Sequence, residues 1–320
     1  MTTAIRVGIS ACLLGEKVRH DGGHKLDHYL KDTLGQFVDW VPVCPEVECG
    51  LPVPREAMRL MGNPDTPRLV TVRTGVDQTD RMQLWAENRL RKLSRDDLCG
   101  FIFKSRSPSS GMRGVKVYGV SGGAGGIPAR AGVGIFARAF MEHFRMMPVE
   151  DEGRLNDPFL RENFIERIFI FRRWKNFLKN DGSLRGLVEF HSDHKLIMLA
   201  HSTRHYTAMG RLVAHAGEYG PDIVQDNYFA LLMEGLTLLA TARKNTNVLQ
   251  HMMGYFKKQL TQQEKKELLE VIGDYHKGLL PLIVPIVLLR HYVQKYNEPY
   301  LKRQYYLHPH PAELCLRNHV

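Results

Sequence analysis

The sequence predicts an α/β fold with a mainly parallel sheet and flanking helices, followed by a separate all-α domain. Short apolar runs alternate with helical segments over residues 4–144, a pattern typical of parallel sheets with crossover helices. Residues 147–153 are polar, acidic and turn-forming, and we interpret them as a linker. Beyond them the apolar spacing is helical, without strand alternation. We therefore expect domains over residues 1–150 and 151–320.

Five strands are expected in the first domain. Each is a short apolar run, and they cover residues 5–10, 37–44, 69–73, 100–104 and 115–118. Residues 78–93 carry apolar side chains three and four positions apart, which predicts an amphipathic helix. The glycine-rich residues 119–126 predict a loop, and residues 134–147 predict a further helix.

The second domain is predicted to consist of helices only. Asp157 and Pro158 form a helix-start signal, with aspartate as the cap and proline in the first turn. Thr261 and Glu264 have the spacing of a capping box. The helices that follow the first are expected over residues 184–217, 222–243, 245–260, 261–280 and 285–296.

The composition favours a soluble protein with an acidic partner. Hydrophobic residues make up 43% of the 320 positions and charged residues 24%, which is close to the globular average. No run approaches the ~18–20 uncharged apolar residues that cross a bilayer, and the N-terminus lacks the apolar core of a signal peptide. We expect a cytoplasmic chain without a membrane partner. The net charge of +10 favours nucleic acid, with an inert basic surface as the alternative.

Cysteine and serine side chains follow the predicted strands where each strand ends. Cys12 follows the first strand, Cys44 and Cys49 follow the second, and Ser107 and Ser110 follow a later one. The carboxyl ends of parallel strands meet at one edge of a sheet, where ligands bind. In an intracellular chain, such cysteines favour metal binding or catalysis over disulfides. Thiolates from two loops suit a soft metal or an iron–sulfur cluster.

Other interpretations of these residues remain open. Free cysteines often only pack in a core, and zinc would prefer four closed ligands or a histidine partner. Nucleophilic catalysis by cysteine, with His20 or His24 as the base, is also conceivable. The sequence contains no Walker A loop, no GxGxxG and no GxSxG motif.

Three ordered motifs resemble the thiouracil desulfurase family over residues 4–140. They are SACLLG at residues 10–15, VCPEVE at residues 43–48 and KSRSPS at residues 104–109. The segments LVEFHSDHK at residues 187–195 and QYYLHPHP at residues 304–311 resemble a helical module often fused to that domain. This two-domain arrangement is similar to bacterial desulfidases that remove sulfur from 4-thiouridine in tRNA, in which the helical module is thought to grip the RNA.

The resemblance implies a 4Fe–4S cluster held by three cysteines, with one iron open to the sulfur of the substrate. Cys12 and Cys44 match two of the ligands, whereas Ser110 stands at the position of the third. Serine is a poor cluster ligand, so we expect Cys49 to complete the set. Cys99 is the second choice, because it precedes its strand and would lie at the opposite edge of the sheet.

The resemblance also implies a catalytic carboxylate and a catalytic hydroxyl. We assign these roles to Glu48, as general base towards water, and to Ser107, as hydrogen-bond donor to the ring or the developing charge. Glu46 is the nearest rival of Glu48. The predicted function is desulfuration of 4-thiouridine in tRNA; the alternatives are a free thiolated base or nucleotide as substrate, or a non-catalytic RNA-binding or cluster-sensing protein.

Two features of the second domain bear on RNA binding. Arg172, Arg173 and Lys175 belong to a basic stretch interleaved with aromatic residues, and we predict that they contact phosphates. His191, His194 and His201 lie on one predicted helix, where they could bind a metal. RNA contacts or satisfied polar groups are the preferred interpretation, because no neighbouring cysteine supports a metal.

Overall fold

The computed structural model describes residues 5–119 and 129–319, and the chain divides into two compact units, Met1–Asp157 and Pro158–Val320. Helices and a parallel sheet form the first unit, and helices form the described part of the second. The predicted fold class is thereby confirmed. The elements of the first unit are β1 Arg6–Ser10, β2 Asp39–Val43, α1 Pro45–Glu48, β3 Met58–Gly62, β4 Pro67–Thr71, α2 Thr79–Leu93, β5 Leu98–Phe103, β6 Val115–Tyr118, β7 Ala129–Gly132, α3 Ile135–His143 and β8 Val149–Asp151.

The first sheet has the strand order β2-β1-β5-β8 and is parallel throughout. All six residues of β5 are buried, as expected for a strand covered on both faces. Gly8 of β1 lies against the ring of Phe101, and a Cβ atom there would come within 2.2 Å of that ring. The strands predicted at residues 5–10, 37–44 and 100–104 are confirmed and form the centre of this sheet.

The interpretation of residues 147–153 as a linker is wrong. Residues 149–151 form β8, which pairs with β5. Glu150 is buried, and its Oε1 lies 2.7 Å from Nε of Arg154. The acidic composition therefore reflects a paired carboxylate inside the first unit, and the expected boundary at residue 150 falls within a strand.

A second sheet has the order β4-β3-β6-β7 and mixes antiparallel with parallel pairs. The strands predicted at residues 69–73 and 115–118 belong here rather than to the parallel sheet. Strand β3 was not predicted, because Leu60 is its one fully buried side chain and its apolar pattern is weak. Of the glycine-rich segment 119–126, only Gly119 lies within the described residues.

The described part of the second unit contains eight α-helices: α4 Pro158–Asn180, α5 Leu184–His201, α6 Thr203–Ala214, α7 Pro221–Leu236, α8 Ala242–Met253, α9 Gln262–His276, α10 Ile283–Lys295 and α11 Pro299–Lys302. The helix predicted over residues 184–217 is two helices, because Ser202 leaves the helical conformation and its side chain caps α6. The capping box of Thr261 and Glu264 is confirmed. Among the described residues, no helix is long and apolar enough to cross a bilayer.

Four hydrogen-bonded side chains, three of them buried and Glu162 half-buried, connect α4, α5 and the C-terminal segment. His201 Nε2 lies 2.7 Å from Glu166 Oε1, and His201 Nδ1 lies 2.5 Å from the carbonyl oxygen of Leu238. Both ring nitrogens of His201 therefore face oxygen atoms. Arg317 donates from Nη2 to Glu166 Oε2 at 3.2 Å and from Nε to Glu162 Oε1 at 3.0 Å. Two carboxylates, one guanidinium and one imidazole are thus joined in the helical unit.

We expect His201→Ala to destabilise the helical unit strongly. Removing one partner of a buried ion pair leaves an uncompensated charge and typically costs about 3–5 kcal/mol of unfolding free energy. His251 is exposed on α8, so His251→Ala should change the unfolding free energy by less than about 0.5 kcal/mol. Urea denaturation followed by far-UV circular dichroism measures both values, and equal stability of the two variants would contradict the expectation.

The same cluster predicts a loss of stability in acid. Burial by itself raises the pKa of Glu166, but the hydrogen bond from His201 and the charges of His201 and Arg317 outweigh it and lower the pKa to about 2, from a usual 4.5. A lowered folded-state pKa means that the contribution is fully present above pH 4.5 and is lost as the pH falls towards 2. Glu166→Gln should flatten this part of the profile of unfolding free energy against pH.

Candidate active site

The ends of β1, β2 and β5 open onto one cavity of about 1190 Å³ in the first unit. The residues that follow these strands line it: Cys12 after β1, Cys44 after β2, and Ser107 and Ser110 after β5. This convergence follows from the parallel order of the strands, whose carboxyl ends share one edge. The prediction that these four side chains come together is confirmed.

Cys12 and Cys44 present two buried thiols to the cavity. Cys12 lies in the 3-10 turn Ala11–Leu14, Cys44 is the N-cap of α1, and each is 9% exposed. Burial raises the pKa of the Cys12 thiol to about 11. Burial, and then the Glu46 carboxylate, raise the pKa of the Cys44 thiol to about 12. Such thiols are poor nucleophiles, which disfavours the alternative of catalysis by cysteine and histidine.

Cys49 does not line the cavity, in contrast to the ligand set that we expected. It follows the last residue of α1, so one helical turn separates it from Cys44. Its Sγ lies 3.2 Å from the carbonyl oxygen of Glu46, and its side chain packs against a buried apolar cluster that includes Leu60 and Met82. Cys99 is fully buried near the start of β5, at the edge opposite to the cavity, as its position in the sequence implied.

Of the two neighbouring carboxylates Glu46 and Glu48, Glu46 lines the cavity. Its Oε1 accepts a hydrogen bond from Ser109 Oγ at 2.5 Å, and its Oε2 lies 3.6 Å from Cys44 Sγ and 3.8 Å from Arg55 Nη2. Glu48 is absent from the described lining. Its Oε1 accepts from the Cys44 backbone N–H at 2.9 Å and its Oε2 pairs with Arg89 Nε at 3.0 Å. Both oxygens of Glu48 are thus used to hold α1 in place.

The serine loop after β5 is ordered by its own hydroxyl groups. Ser107 Oγ accepts from the backbone N–H of Ser109 at 3.3 Å and of Ser110 at 3.2 Å. A Cβ atom at Gly111 would lie 2.7 Å from the carbonyl oxygen of Ser107, so glycine permits this tight turn. Ser107 and Ser110 line the cavity, while Ser109 is fully buried and holds Glu46.

The predicted phosphate contacts of Arg172 and Arg173 disagree with the structure. Arg172 is 6% exposed. Arg173 donates from Nη2 to the carbonyl oxygen of Pro309, and its guanidinium lies 3.9 Å from the ring centre of Tyr305. The two arginines face the core of the helical unit, because α4 is buried over much of its circumference. Lys175 is half-buried, with Nζ 5.5 Å from the ring centre of Phe171.

Each of the three histidines of α5 has a hydrogen-bond partner on at least one ring nitrogen, whereas Nε2 of His194 is buried without a partner among the described residues. His191 Nδ1 lies 3.2 Å from the hydroxyl of Tyr228, His194 Nδ1 lies 2.8 Å from the carbonyl oxygen of Phe190, and His201 pairs with Glu166. Within residues 5–119 and 129–319, no group of three or more histidine, cysteine, aspartate or glutamate side chains is placed to hold a single metal ion.

The first unit also matches a known family. Residues 7–152 match the family model described as 2-thiouracil desulfurase. This segment is a 2-thiouracil desulfurase family domain. The expectation of a desulfidase is confirmed at the level of this family. Residues 195–311 match a second family model, described as a protein of unknown function (DUF1722).

Two individual proteins are similar to the chain. The uncharacterized protein YbgA of Escherichia coli (strain K12) is 34% identical over 143 residues, which are 44% of this chain and 85% of YbgA, so the chain also belongs to the family of YbgA. A solved structure of the 4Fe–4S-dependent thiouracil desulfidase TudS is 30% identical and superposes with a TM-score of 0.40, covering 48% of this chain and 94% of TudS.

Proposed function

We propose that the chain is an iron–sulfur-dependent desulfidase that converts the thiocarbonyl of 4-thiouridine in tRNA to a carbonyl. The observation that carries this proposal is the meeting of Cys12, Cys44, Glu46 and Ser107 in one cavity of a desulfurase-family domain. Two thiols, a carboxylate and a hydroxyl are the groups that a hydrolytic desulfuration needs.

The side chains in the cavity fit a cluster with two thiolate ligands and one oxygen ligand. Cys12 and Cys44 would hold two irons through sulfur. Ser110 Oγ, on the same cavity wall and 3% exposed, would take the third position in place of Cys49. When bound, the cluster supplies a Lewis-acidic iron that takes up the sulfur of the thiocarbonyl.

Glu46 has the surroundings of a general base. Its Oε1 is fixed by Ser109, and Arg55 lies near its Oε2, so the carboxylate is held in one orientation. In the reaction C=S + H₂O → C=O + H₂S, Glu46 takes a proton from the attacking water, the new C–O bond forms, and the C–S bond breaks with departure of sulfide. Ser107 Oγ lies 2.9 Å from Ser109 Oγ; when substrate binds, its hydroxyl hydrogen would turn from Ser109 towards the ring or the charge that develops on it.

The lining of the cavity supports a phosphate-bearing substrate over a free base. Nine lysine and arginine side chains line it, against the three carboxylates of Glu46, Glu56 and Asp151. The cations are Arg19, Lys25, Arg55, Arg59, Lys104, Arg106, Arg113, Lys116 and Arg154. Such an excess favours an anionic ligand, and the helical unit adds 22 lysine and arginine residues against 15 acidic ones. Tyr306 is buried inside that unit, and Tyr305 is half-buried.

The test compares three substrates of the anaerobically reconstituted full chain: tRNA that contains 4-thiouridine, 4-thiouridine monophosphate and free 4-thiouracil. We expect loss of 4-thiouridine from tRNA, seen by mass spectrometry of digested nucleosides, with one sulfide released per uridine formed. Turnover of the free base alone would make the chain a small-molecule desulfidase. A colourless protein without iron and without sulfide release would favour a non-catalytic RNA-binding protein.

A further inference from the structure

The segment of the helical unit that contains α8 is basic and lacks acidic residues. Residues 235–263 contain four lysine and arginine residues and His251, but no aspartate or glutamate. In a unit with 15 acidic residues over 163 positions, an acid-free stretch of this length concentrates positive potential on one segment. The segment covers the end of α7, all of α8 and the turn that follows it.

Six exposed side chains of this segment form what we call the Tyr255 patch. Arg243, Asn247, His251 and Tyr255 follow one another at intervals of four residues, which places them along one side of α8 and the next turn. Lys257 and Lys258 follow in the same turn and are exposed. Among the described residues, no carboxylate lies within 4 Å of the charged groups of Arg243, Lys257 or Lys258, so their charges are available to a ligand.

The tyrosine of this patch is held rigidly by its neighbours. The rings of Tyr255 and Tyr300 stack with their centres 5.1 Å apart and an angle of 20° between their planes. Lys195 Nζ lies 4.8 Å from the ring centre of Tyr300, and the His251 ring meets the Tyr255 ring edge-on at 5.7 Å. Tyr255 nevertheless keeps 37% of its surface exposed. Because the Tyr255 side chain is already fixed and partly exposed, it loses little further conformational entropy when another ring stacks on it.

We propose that the Tyr255 patch binds unpaired nucleotides of the substrate RNA, with a base stacked on Tyr255 and phosphates held by Arg243, Lys257 and Lys258. The proposal rests on the proposed function, and it replaces Arg172, which is buried, and Arg173, which contacts Pro309 and Tyr305, as the RNA contacts. Aromatic rings flanked by cations are the arrangement that single-stranded RNA requires, because every base has a face that can stack while the phosphates need positive charge. The patch offers little apolar contact area to a protein partner, because it presents one large aromatic side chain among cations and an amide.

The experiment measures equilibrium binding of 4-thiouridine-containing tRNA to the full chain by fluorescence anisotropy, over a series of salt concentrations. Tyr255→Ala should weaken binding roughly five- to a hundredfold, and Tyr255→Phe should retain most of the affinity. Lys257→Ala with Lys258→Ala should reduce the slope of log affinity against log salt by about 0.7 to 0.9 for each lost phosphate contact. The matched controls are Tyr219→Ala, which removes an exposed tyrosine elsewhere, and Lys265→Ala with Lys266→Ala on α9; neither should change affinity or slope.

The outcomes separate this proposal from the proposed function. Unchanged affinity of Tyr255→Ala, with normal circular dichroism, overturns the patch, whether or not tRNA is a substrate. If Tyr255→Ala loses affinity while wild type removes no sulfur from tRNA, the patch stands and the proposed substrate fails. Unchanged RNA affinity together with a Tyr255-dependent change in the mass of the chain in solution assigns the surface to a protein contact and likewise overturns the proposal.

Discussion

Replacing Cys44 by serine should remove most of the iron from the reconstituted protein and abolish sulfide release. Cys12 and Cys44 are the two thiols of the described residues that line the cavity. A cluster that already relies on an oxygen ligand at Ser110 would be left with a single thiolate, and oxygen ligands bind iron–sulfur clusters less well than thiolates do. Iron and acid-labile sulfide per chain, together with the visible absorption, measure the loss. We expect the same result for Cys12→Ser.

Cys49→Ser is the matched control, because it makes the same chemical change on the same loop. Cys49 packs against an apolar cluster outside the cavity, so this variant should keep its iron and its activity. Ser110→Cys should raise the iron content and slow the loss of the cluster in air, whereas Ser110→Ala should lower the iron content. Full iron in Ser110→Ala, together with loss of iron in Cys49→Ser, would contradict Ser110 as the third ligand. It would support the set predicted from the sequence, in which Cys49 joins Cys12 and Cys44.

The convergence of the strand ends could be predicted, because it depends only on the order of parallel strands. The alternation of apolar runs with helices placed Cys12, Cys44 and Ser107 at one edge, and their position in the cavity bears this out. The choice between Glu46 and Glu48 depends on local geometry instead. An extended loop would point both carboxylates the same way, but Pro45 begins a helix directly after Cys44 and turns them apart. Proline in the first turn of a helix is the sequence signal that favours this geometry.

The errors in the helical unit have a different physical origin. Arg172 and Arg173 look like solvent-facing cations in a basic stretch, yet Arg173 caps a backbone carbonyl and stacks on Tyr305. Arginine can be buried when its guanidinium finds acceptors and aromatic faces, and those partners lie more than a hundred residues away in the sequence. Periodicity alone carries no information about contacts of that range.

Glu46→Gln should leave the iron content unchanged and reduce the rate of desulfuration by about 10²–10⁴-fold, the usual contribution of a positioned general base. Glutamine keeps the size of the side chain and can still accept the hydrogen bond from Ser109, but it cannot take a proton from water.

Glu48→Gln is the comparison that decides the assignment. Burial raises the pKa of Glu48 against the opposing effects of the Cys44 N–H and Arg89, and both oxygens are engaged away from the cavity. The Glu48 variant should therefore lose some stability of α1 but keep its turnover. The measurement is single-turnover sulfide release at equal iron content, so that a change in cluster occupancy cannot imitate a change in chemistry. A large loss in Glu48→Gln, with Glu46→Gln active, would transfer the role of base to Glu48 and require α1 to rearrange when substrate binds.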